Sequence, residues 1–228
     1  LARLNPRKLE SMKMPVVYDT RVSASLLGHL SAAISGSAIA RGTSFLRDAM
    51  GTQIMSAGLN VIDEPHRPRG LRSAAFDGEG LSPETINLVQ DGVLQSWLLD
   101  STTARQLELE SNARAARGVG GPPSPSATNL YLAAGTQDVA GILGDVGEGF
   151  FVTELIGMGV NGATGDYSRG ASGFRIENGE LTYPVSEVTI AGNLKDMFGN
   201  MTPADDLTFR RGVNAPTVLV EGMTLAGL

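Results

Sequence analysis

The chain has 228 residues, a formal net charge of −6 at pH 7 and a sequence pI near 5.0. Its length is enough to bury a sizeable core in one domain or in two small ones, and its acidic balance argues against a general nucleic-acid or membrane-surface binder, which needs a basic surface. Because the chain has no cysteine, disulfides, thiolate metal ligands and cysteine nucleophiles are excluded, and a cytoplasmic location is favoured.

The N-terminal forty residues predict one strand and one long helix. We expect neither a signal peptide nor a membrane span, because no apolar run reaches the ~18 residues of a span and residues 1–14 lack an apolar core. PVVYD (15–19) is a short apolar strand, and Thr20 suits the N-cap of a helix through about Ala40. Gly28 and Gly36 weaken this helix or mark close packing against a sheet. Residues at helical spacing predict that one helix face is buried on that sheet: Val22, Leu26, Leu27, Leu30, Ile34 and Ala38.

Three strand pairs are predicted beyond residue 80. The first two turn at Asp91-Gly92 and Asn178-Gly179, dipeptides that favour the type I′ turn of a hairpin. The third, APTVLVEGMTLAG (215–227), turns near Glu221-Gly222. Short helices are predicted over residues 102–110 and 136–144, and GVGGPPSPSAT (118–128) is a loop. The predicted fold class is therefore sheet-rich α+β with one long and a few short helices. The sheet is largely antiparallel, and one option is that it closes into a barrel.

A glycine pattern after the run FFVTELI raises a nucleotide-binding alternative. Gly157, Gly159 and Gly162 are spaced as G-x-G-x-x-G, which in a Rossmann unit precedes a helix whose N-terminus holds the pyrophosphate. The next segment, ATGDYSRGASG (163–173), has three more glycines and no periodic apolar face. Because no helix is predicted there, the motif match is weak and the nucleotide interpretation is disfavoured.

Few side chains are candidates for catalysis or metal binding. The only histidines are His29 and His66, and catalytic zinc generally needs three protein ligands, so we expect no metal site in this chain. Asp77 and Glu79 in FDGEG suit either an acid–base pair or a turn, and the flanking glycines favour the turn. Ser168 has neither a G-x-S-x-G elbow nor a histidine nearby in sequence. We therefore assign no catalytic residue.

Several segments together resemble the C-terminal domain of the TldD/PmbA family, whose members are also called modulators of DNA gyrase. The most specific segment is GVNGATGDYSRGASGFRIENGELTYPVSEVTIAGNL, residues 159–194. The others are LLGHLSAAISGSAIARGTSFL (26–46), FDGEG (76–80), QDGVLQSWLLDSTTARQL (90–107), TNLYL (128–132) and APTVLVEGMTLAG (215–227). They cover nearly the whole chain in order and are most similar to the PmbA (TldE) branch. The resemblance implies that residues 1–228 are a single domain, the C-terminal half of a two-domain cytoplasmic protein.

The resemblance also implies a function. The catalytic branch, TldD, is a zinc metallopeptidase with an H-E-x-x-x-H helix and a further cysteine ligand. This chain has Gly28 and His29 where that motif begins, no second histidine five residues later and no cysteine. The implied role is a non-catalytic subunit that assists the processing or degradation of flexible peptides, including leader removal during peptide maturation. Its partner would be a TldD-like catalytic subunit, which holds the zinc, or a second copy of itself, and we expect no nucleic-acid and no membrane partner. The alternative is a peptidase active in its own right through an unrecognised site.

The glycine-rich stretch that begins at Gly157 is the candidate peptide-binding site. Glycines permit positive φ and close backbone approach, and an exposed strand edge binds an extended peptide through main-chain hydrogen bonds. The alternative is a tightly packed loop between strands of one subunit. The candidate residues are Gly159, Asn161, Gly162, Thr164, Gly165, Asp166 and Ser168.

Overall fold

The computed structural model describes residues 4–227. The helices are α1 (Thr20–Ala33), α2 (Gly36–Ala40), α3 (Ser101–Gln106), α4 (Val139–Val146) and α5 (Leu194–Gly199). The strands are β1 (Met12–Tyr18), β2 (Val61–Asp63), β3 (Ile86–Gln90), β4 (Val93–Leu94), β5 (Ala115–Ala116), β6 (Ser124–Pro125), β7 (Leu130–Leu132), β8 (Gly149–Val160), β9 (Asp166–Glu177), β10 (Glu180–Asn193), β11 (Met201–Pro203), β12 (Val213–Asn214) and β13 (Val218–Ala226). These elements form two compact units, of which one comprises residues 4–24, 134–208 and 215–227 and the other residues 25–133 and 209–214.

Five strands of the first unit close into a barrel. In the order β1-β8-β9-β10-β13 each strand pairs with the next, and β13 also pairs with β1. Every pair in this ring is antiparallel except β1 with β8. The predicted sheet-rich α+β fold with a largely antiparallel, barrel-forming sheet is therefore confirmed.

Helix α4 packs on the outside of this barrel. It begins after Asp138, whose side chain accepts a hydrogen bond from Gly141 N, so the helix starts three residues after the predicted start at residue 136. The helix and the strands share one apolar cluster, which consists of Val17, Ile142, Leu143, Phe151, Ile176, Ala204 and Leu219. Because side chains alternate along a strand, Val16 and Tyr18 point away from this cluster into the barrel, where both are fully buried.

The two predicted type I′ hairpins are present. Asp91 and Gly92 have φ angles of 49° and 77° between β3 and β4, and Asn178 and Gly179 have φ angles of 52° and 78° between β9 and β10. Positive φ at both central residues defines this turn and explains why Asn or Asp followed by Gly occupies it.

The predicted long helix is divided into α1 and α2. Between them Ile34 O accepts a hydrogen bond from Leu98 N, and Gly36 N donates to Leu98 O. The backbone near Ser35 thus pairs with another segment instead of continuing the helix. The predicted buried face is nevertheless present, since Leu26, Leu30 and Ile34 are buried, while Val22 is only half-buried.

The third predicted strand pair was wrong. Residues 218–226 form one continuous strand, β13, along the whole of β1. Two residues of β13 lie opposite one residue of β1 between the pairs Met14–Met223 and Val16–Val220, and Gly222 has a φ of 73°. The glycine therefore serves a β-bulge rather than a hairpin turn.

The second unit contains a five-stranded sheet in the order β12-β7-β2-β3-β4. Asp63 on β2 and Arg114 form an ion pair of 2.5 Å, and both side chains are fully buried. The other carboxylate oxygen of Asp63 accepts hydrogen bonds from Thr128 N and Thr128 Oγ1 at 2.8 and 3.0 Å. Burial raises the pKa of Asp63, although Arg114 and Thr128 both favour its charged form. The segment predicted as a loop over residues 118–128 contains β6, which pairs with β5.

None of the helices within residues 4–227 combines the length and apolarity that crossing a membrane requires.

Candidate peptide-binding site

The candidate residues lie together at one end of the β8–β9 hairpin. Gly159 on β8 is opposite Ser168 on β9, and Asp166 begins β9. The connecting turn contains Asn161, Gly162, Thr164 and Gly165. The glycine-rich stretch is therefore mostly paired strand, and only residues 161–165 form a loop.

Polar side chains in this turn bond to one another and to the start of α5. Thr164 Oγ1 donates to Asp166 Oδ2 at 2.6 Å. Asn193, the N-cap of α5, donates through Nδ2 to Asp166 Oδ1 at 3.2 Å and to Thr164 O at 3.1 Å. Asn161 Oδ1 accepts from Ala163 N at 3.0 Å. Since each oxygen of Asp166 accepts a hydrogen bond from this network, its carboxylate shapes the loop.

The glycines of the hairpin are required by its own geometry. A Cβ at Gly159 would overlap the carbonyl oxygen of Ser168, and Gly165 has a φ of 86°, which L-residues with side chains rarely adopt. The close backbone approach expected from the sequence is thus made inside the hairpin, between β8 and β9.

One edge of β8 lacks a partner strand near the turn. β1 pairs with β8 only over Phe150–Val152, and within residues 4–227 no other strand pairs with that edge of β8 beyond Val152. Ile156 and Met158 on this segment are 65% and 87% exposed. The hairpin therefore presents an apolar strand edge to solvent, a geometry that can accept an added strand. We refer to residues 155–160 as the β8 edge.

A pair of buried tyrosines lies beside the turn of the hairpin. The Tyr167 hydroxyl on β9 lies 3.4 Å from the Tyr18 hydroxyl on β1, which is also 3.4 Å from Met223 Sδ. Burial raises the pKa of Tyr18 well above its usual value and also raises the pKa of Tyr167. The positive charge of Arg169 offsets only part of each increase. Both hydroxyls are therefore neutral at physiological pH, so this cluster supports packing rather than charge-based recognition.

The side chains of the described residues do not fit a zinc site. Residues 4–227 hold no group of three or more His, Cys, Asp or Glu side chains that could bind a metal. His66 Nε2 lies 2.7 Å from the carbonyl oxygen of Pro83, and His29 lies within α1 without a histidine one turn later.

Asp77 and Glu79 form a turn, as the sequence predicts. Asp77 Oδ1 accepts hydrogen bonds from Glu79 N and Leu81 N, both at 2.9 Å. Glu79 Oε2 accepts from the backbone and the hydroxyl of Ser101 at 2.8 and 2.6 Å. The two carboxylates are therefore occupied by separate structural contacts, and the turn interpretation is confirmed.

The sequence and the fold both match known proteins. Residues 11–227 match a family model described as the PmbA/TldA metallopeptidase C-terminal domain. The metalloprotease PmbA of Escherichia coli O157:H7 is 44% identical over 100% of this chain and 49% of its own length. The chain thus spans about half the length of the curated relatives it matches.

Solved structures share the fold. A Bacteroides thetaiotaomicron protein described as a modulator of DNA gyrase superposes with a TM-score of 0.89 at 31% identity, over 100% of this chain and 50% of that one. TldE from Thermococcus kodakarensis superposes with a TM-score of 0.88 over 99% of this chain and 53% of its own, and at 22% identity that likeness concerns the fold alone.

Proposed function

Because this chain belongs to the TldD/PmbA family of metallopeptidases, we propose that it is part of a non-catalytic subunit in a complex that processes flexible peptides. The observation that carries this proposal is that residues 4–227 hold no group of three or more His, Cys, Asp or Glu side chains that could bind a metal, whereas a catalytic zinc needs three protein ligands. A TldD-like subunit would then hold the zinc and activate water. Residues 1–228 act in this proposal as one C-terminal domain of a cytoplasmic protein.

The β8 edge is the proposed surface for peptide capture. A peptide that adds to a strand edge gains affinity from main-chain hydrogen bonds, so many sequences can bind as long as they are extended. This suits the processing of unstructured peptides better than a pocket that recognises one side chain. Ile156 and Met158 would contribute apolar contacts with the added peptide, and residues 159–168 would hold the hairpin end in shape.

Partner-dependent cleavage tests the proposed role. Three reactions are compared with one unstructured peptide: the protein that contains this chain, a TldD-like catalytic protein, and their mixture. We expect no cleavage by the first protein alone and a marked increase in the mixture over the catalytic protein alone. Elemental analysis should find well below one zinc per chain in the first protein. Chelator-resistant cleavage by that protein alone would establish the alternative, an independent peptidase.

The capture surface needs a variant that leaves the fold intact. Substitution of Gly159 is unsuitable, because any Cβ there meets the Ser168 carbonyl oxygen. We choose Met158→Lys, since this side chain is 87% exposed and a lysine on an edge strand opposes strand addition. Leu109→Lys, at a position 50% exposed in the other unit, is the matched control.

The two lysine variants separate capture from complex formation. We expect Met158→Lys to raise KM for the peptide several-fold, with unchanged zinc in the partner and unchanged complex formation by gel filtration, and Leu109→Lys to behave like wild type. Equal KM values for both variants would show that the β8 edge is not part of the peptide site. The subunit role would not be affected by that result, because the three cleavage reactions test it separately.

A further inference from the structure

A second surface of the chain contains a cavity of about 520 Å³ within the second unit. It lies where the Asp77 turn meets β5 and the segment that follows β6. Phe76, Pro83 and Ala127 contribute apolar walls, and three arginines line the cavity: Arg72, Arg114 and Arg117. Because this volume falls within the range of small-ligand sites, the charges around it decide what it can bind.

Arg114 is a fixed wall of this cavity. Its guanidinium is fully buried and donates to Asp63 Oδ2, to Asn112 O at 2.7 Å and to Glu84 O at 2.5 Å. Asp63 balances the positive charge and the three acceptors occupy the donor groups, so Arg114 is not available to a ligand.

Arg72 and Arg117 differ from Arg114. Both are exposed, and within residues 4–227 neither guanidinium has an ion pair or a hydrogen bond to another side chain or to the backbone. Arg72 is nevertheless held in place, since its backbone N donates to Asn129 Oδ1 at 2.9 Å. Two residues with unpaired guanidinium groups therefore line the cavity.

Asp77 is the acidic residue that lines the cavity, and its carboxylate is occupied. Oδ1 accepts from two backbone N–H groups of its own turn, and Oδ2 accepts from Ala115 N at 3.1 Å. Neither Arg72 nor Arg117 forms a salt bridge with it. Arg72 and Arg117 thus line the cavity together with one carboxylate whose oxygens already have donors, and this charge balance favours an anionic ligand.

We propose that this cavity binds the carboxylate of a peptide through Arg72 and Arg117, with the neighbouring apolar side chain of the peptide against Phe76 and Pro83. The guanidinium group is planar and presents paired N–H donors that match the two oxygens of a carboxylate. The apolar walls favour an organic ligand over a bare inorganic anion, and the choice of a peptide rests on the proposed function.

Fluorescence anisotropy on the full chain tests the proposal without a catalytic partner. The probe is a labelled, unstructured octapeptide ending in leucine, in three forms: with a free C-terminal carboxylate, with a C-terminal amide, and with an amide after a final aspartate. Binding of the first but not the third form identifies the chain end as the source of the carboxylate, and binding of both identifies any accessible carboxylate. Because no cleavage is measured, failure here leaves the partner-dependent reaction untouched.

The variants are Arg72→Gln and Arg117→Gln, with Arg105→Gln on the exposed side of α3 as the control that removes the same charge elsewhere. We expect the free-carboxylate peptide to bind at least about 10-fold more tightly than the leucine amide, and each pocket variant to weaken it by about 10-fold or more. Thermal melting confirms that the variants fold. Equal binding of the leucine amide, equal effects of all three substitutions, or no binding to the wild-type chain would overturn the proposal.

Discussion

Two glycines in the α1–α2 region should respond in opposite ways to alanine. Gly28 is exposed in α1, and a Cβ added there meets no atom within 4 Å. Gly36 is buried at the start of α2, where a Cβ would lie 2.5 Å from Thr103 Oγ1 and 2.9 Å from Leu99 Cδ2. The first substitution therefore tests helix propensity alone, and the second tests packing.

The expected magnitudes follow from these surroundings. Gly28→Ala should stabilise the protein by about 0.5–1 kcal/mol, the usual helix preference for alanine over glycine. Gly36→Ala should destabilise it by about 1–3 kcal/mol, as overpacking of a filled site does. Thr103 cannot move aside freely, because its hydroxyl donates to Asp100 Oδ1 at 2.6 Å within the capping box of α3.

Urea denaturation followed by tryptophan fluorescence measures both effects. Trp97 is the only tryptophan, is buried and lies in the same unit as both glycines, so one transition reports on both variants. A shift of the midpoint at constant slope gives the change in unfolding free energy. If Gly36→Ala were as stable as wild type, or Gly28→Ala were less stable, the packing derived for this region would be refuted.

Three further experiments test burial and pairing in the core. Leu30→Ala should cost about 2–5 kcal/mol in unfolding free energy, because Leu30 is fully buried; a loss below about 0.5 kcal/mol in urea denaturation would contradict that burial. Arg114→Met should cost about 3–5 kcal/mol by leaving the Asp63 carboxylate buried without its partner, and the double variant with Asp63→Leu should recover much of this loss; no recovery in the double variant would contradict the pairing argument. Because the pKa of Tyr18 is raised in the folded protein, the stability that its neutral hydroxyl contributes is complete below the unfolded value near 10 and declines as pH rises further. Tyr18→Phe should therefore flatten the fall in urea midpoint above pH 10. An unchanged slope would contradict the burial of the Tyr18 hydroxyl.

Local backbone chemistry explains which parts of the fold could be predicted. Asp91-Gly92 and Asn178-Gly179 specify their turns because both positions need positive φ. Glu221-Gly222 has the same type of signal, but β1 provides a partner for the strand on both sides of it, and the glycine then accommodates a bulge. A glycine signal therefore identifies a special conformation, while its partner strands decide whether the chain reverses.

The candidate sites depend on strand pairing and tertiary contacts that local sequence patterns do not reveal. The run FFVTELI is apolar, yet nothing in its pattern indicates that β1 stops pairing at Val152 and leaves the β8 edge open. Arg72 and Arg117 lie far apart along the chain, and only tertiary folding brings both to one cavity. Gly28 and Gly36 looked alike in sequence, but only Gly36 is closely packed.

Closure of the barrel by β13 affects how the chain folds during synthesis. β1 pairs with β13 from Met12–Leu225 to Tyr18–Val218, so β1 is made about 200 residues before the strand with which it pairs. At about 5–20 residues per second, the intervening chain takes roughly 10–40 s to be made. Until β13 is made, the edge of β1 that pairs with it has no partner strand within this chain. Products that stop before β13 are therefore expected to expose that edge and to aggregate.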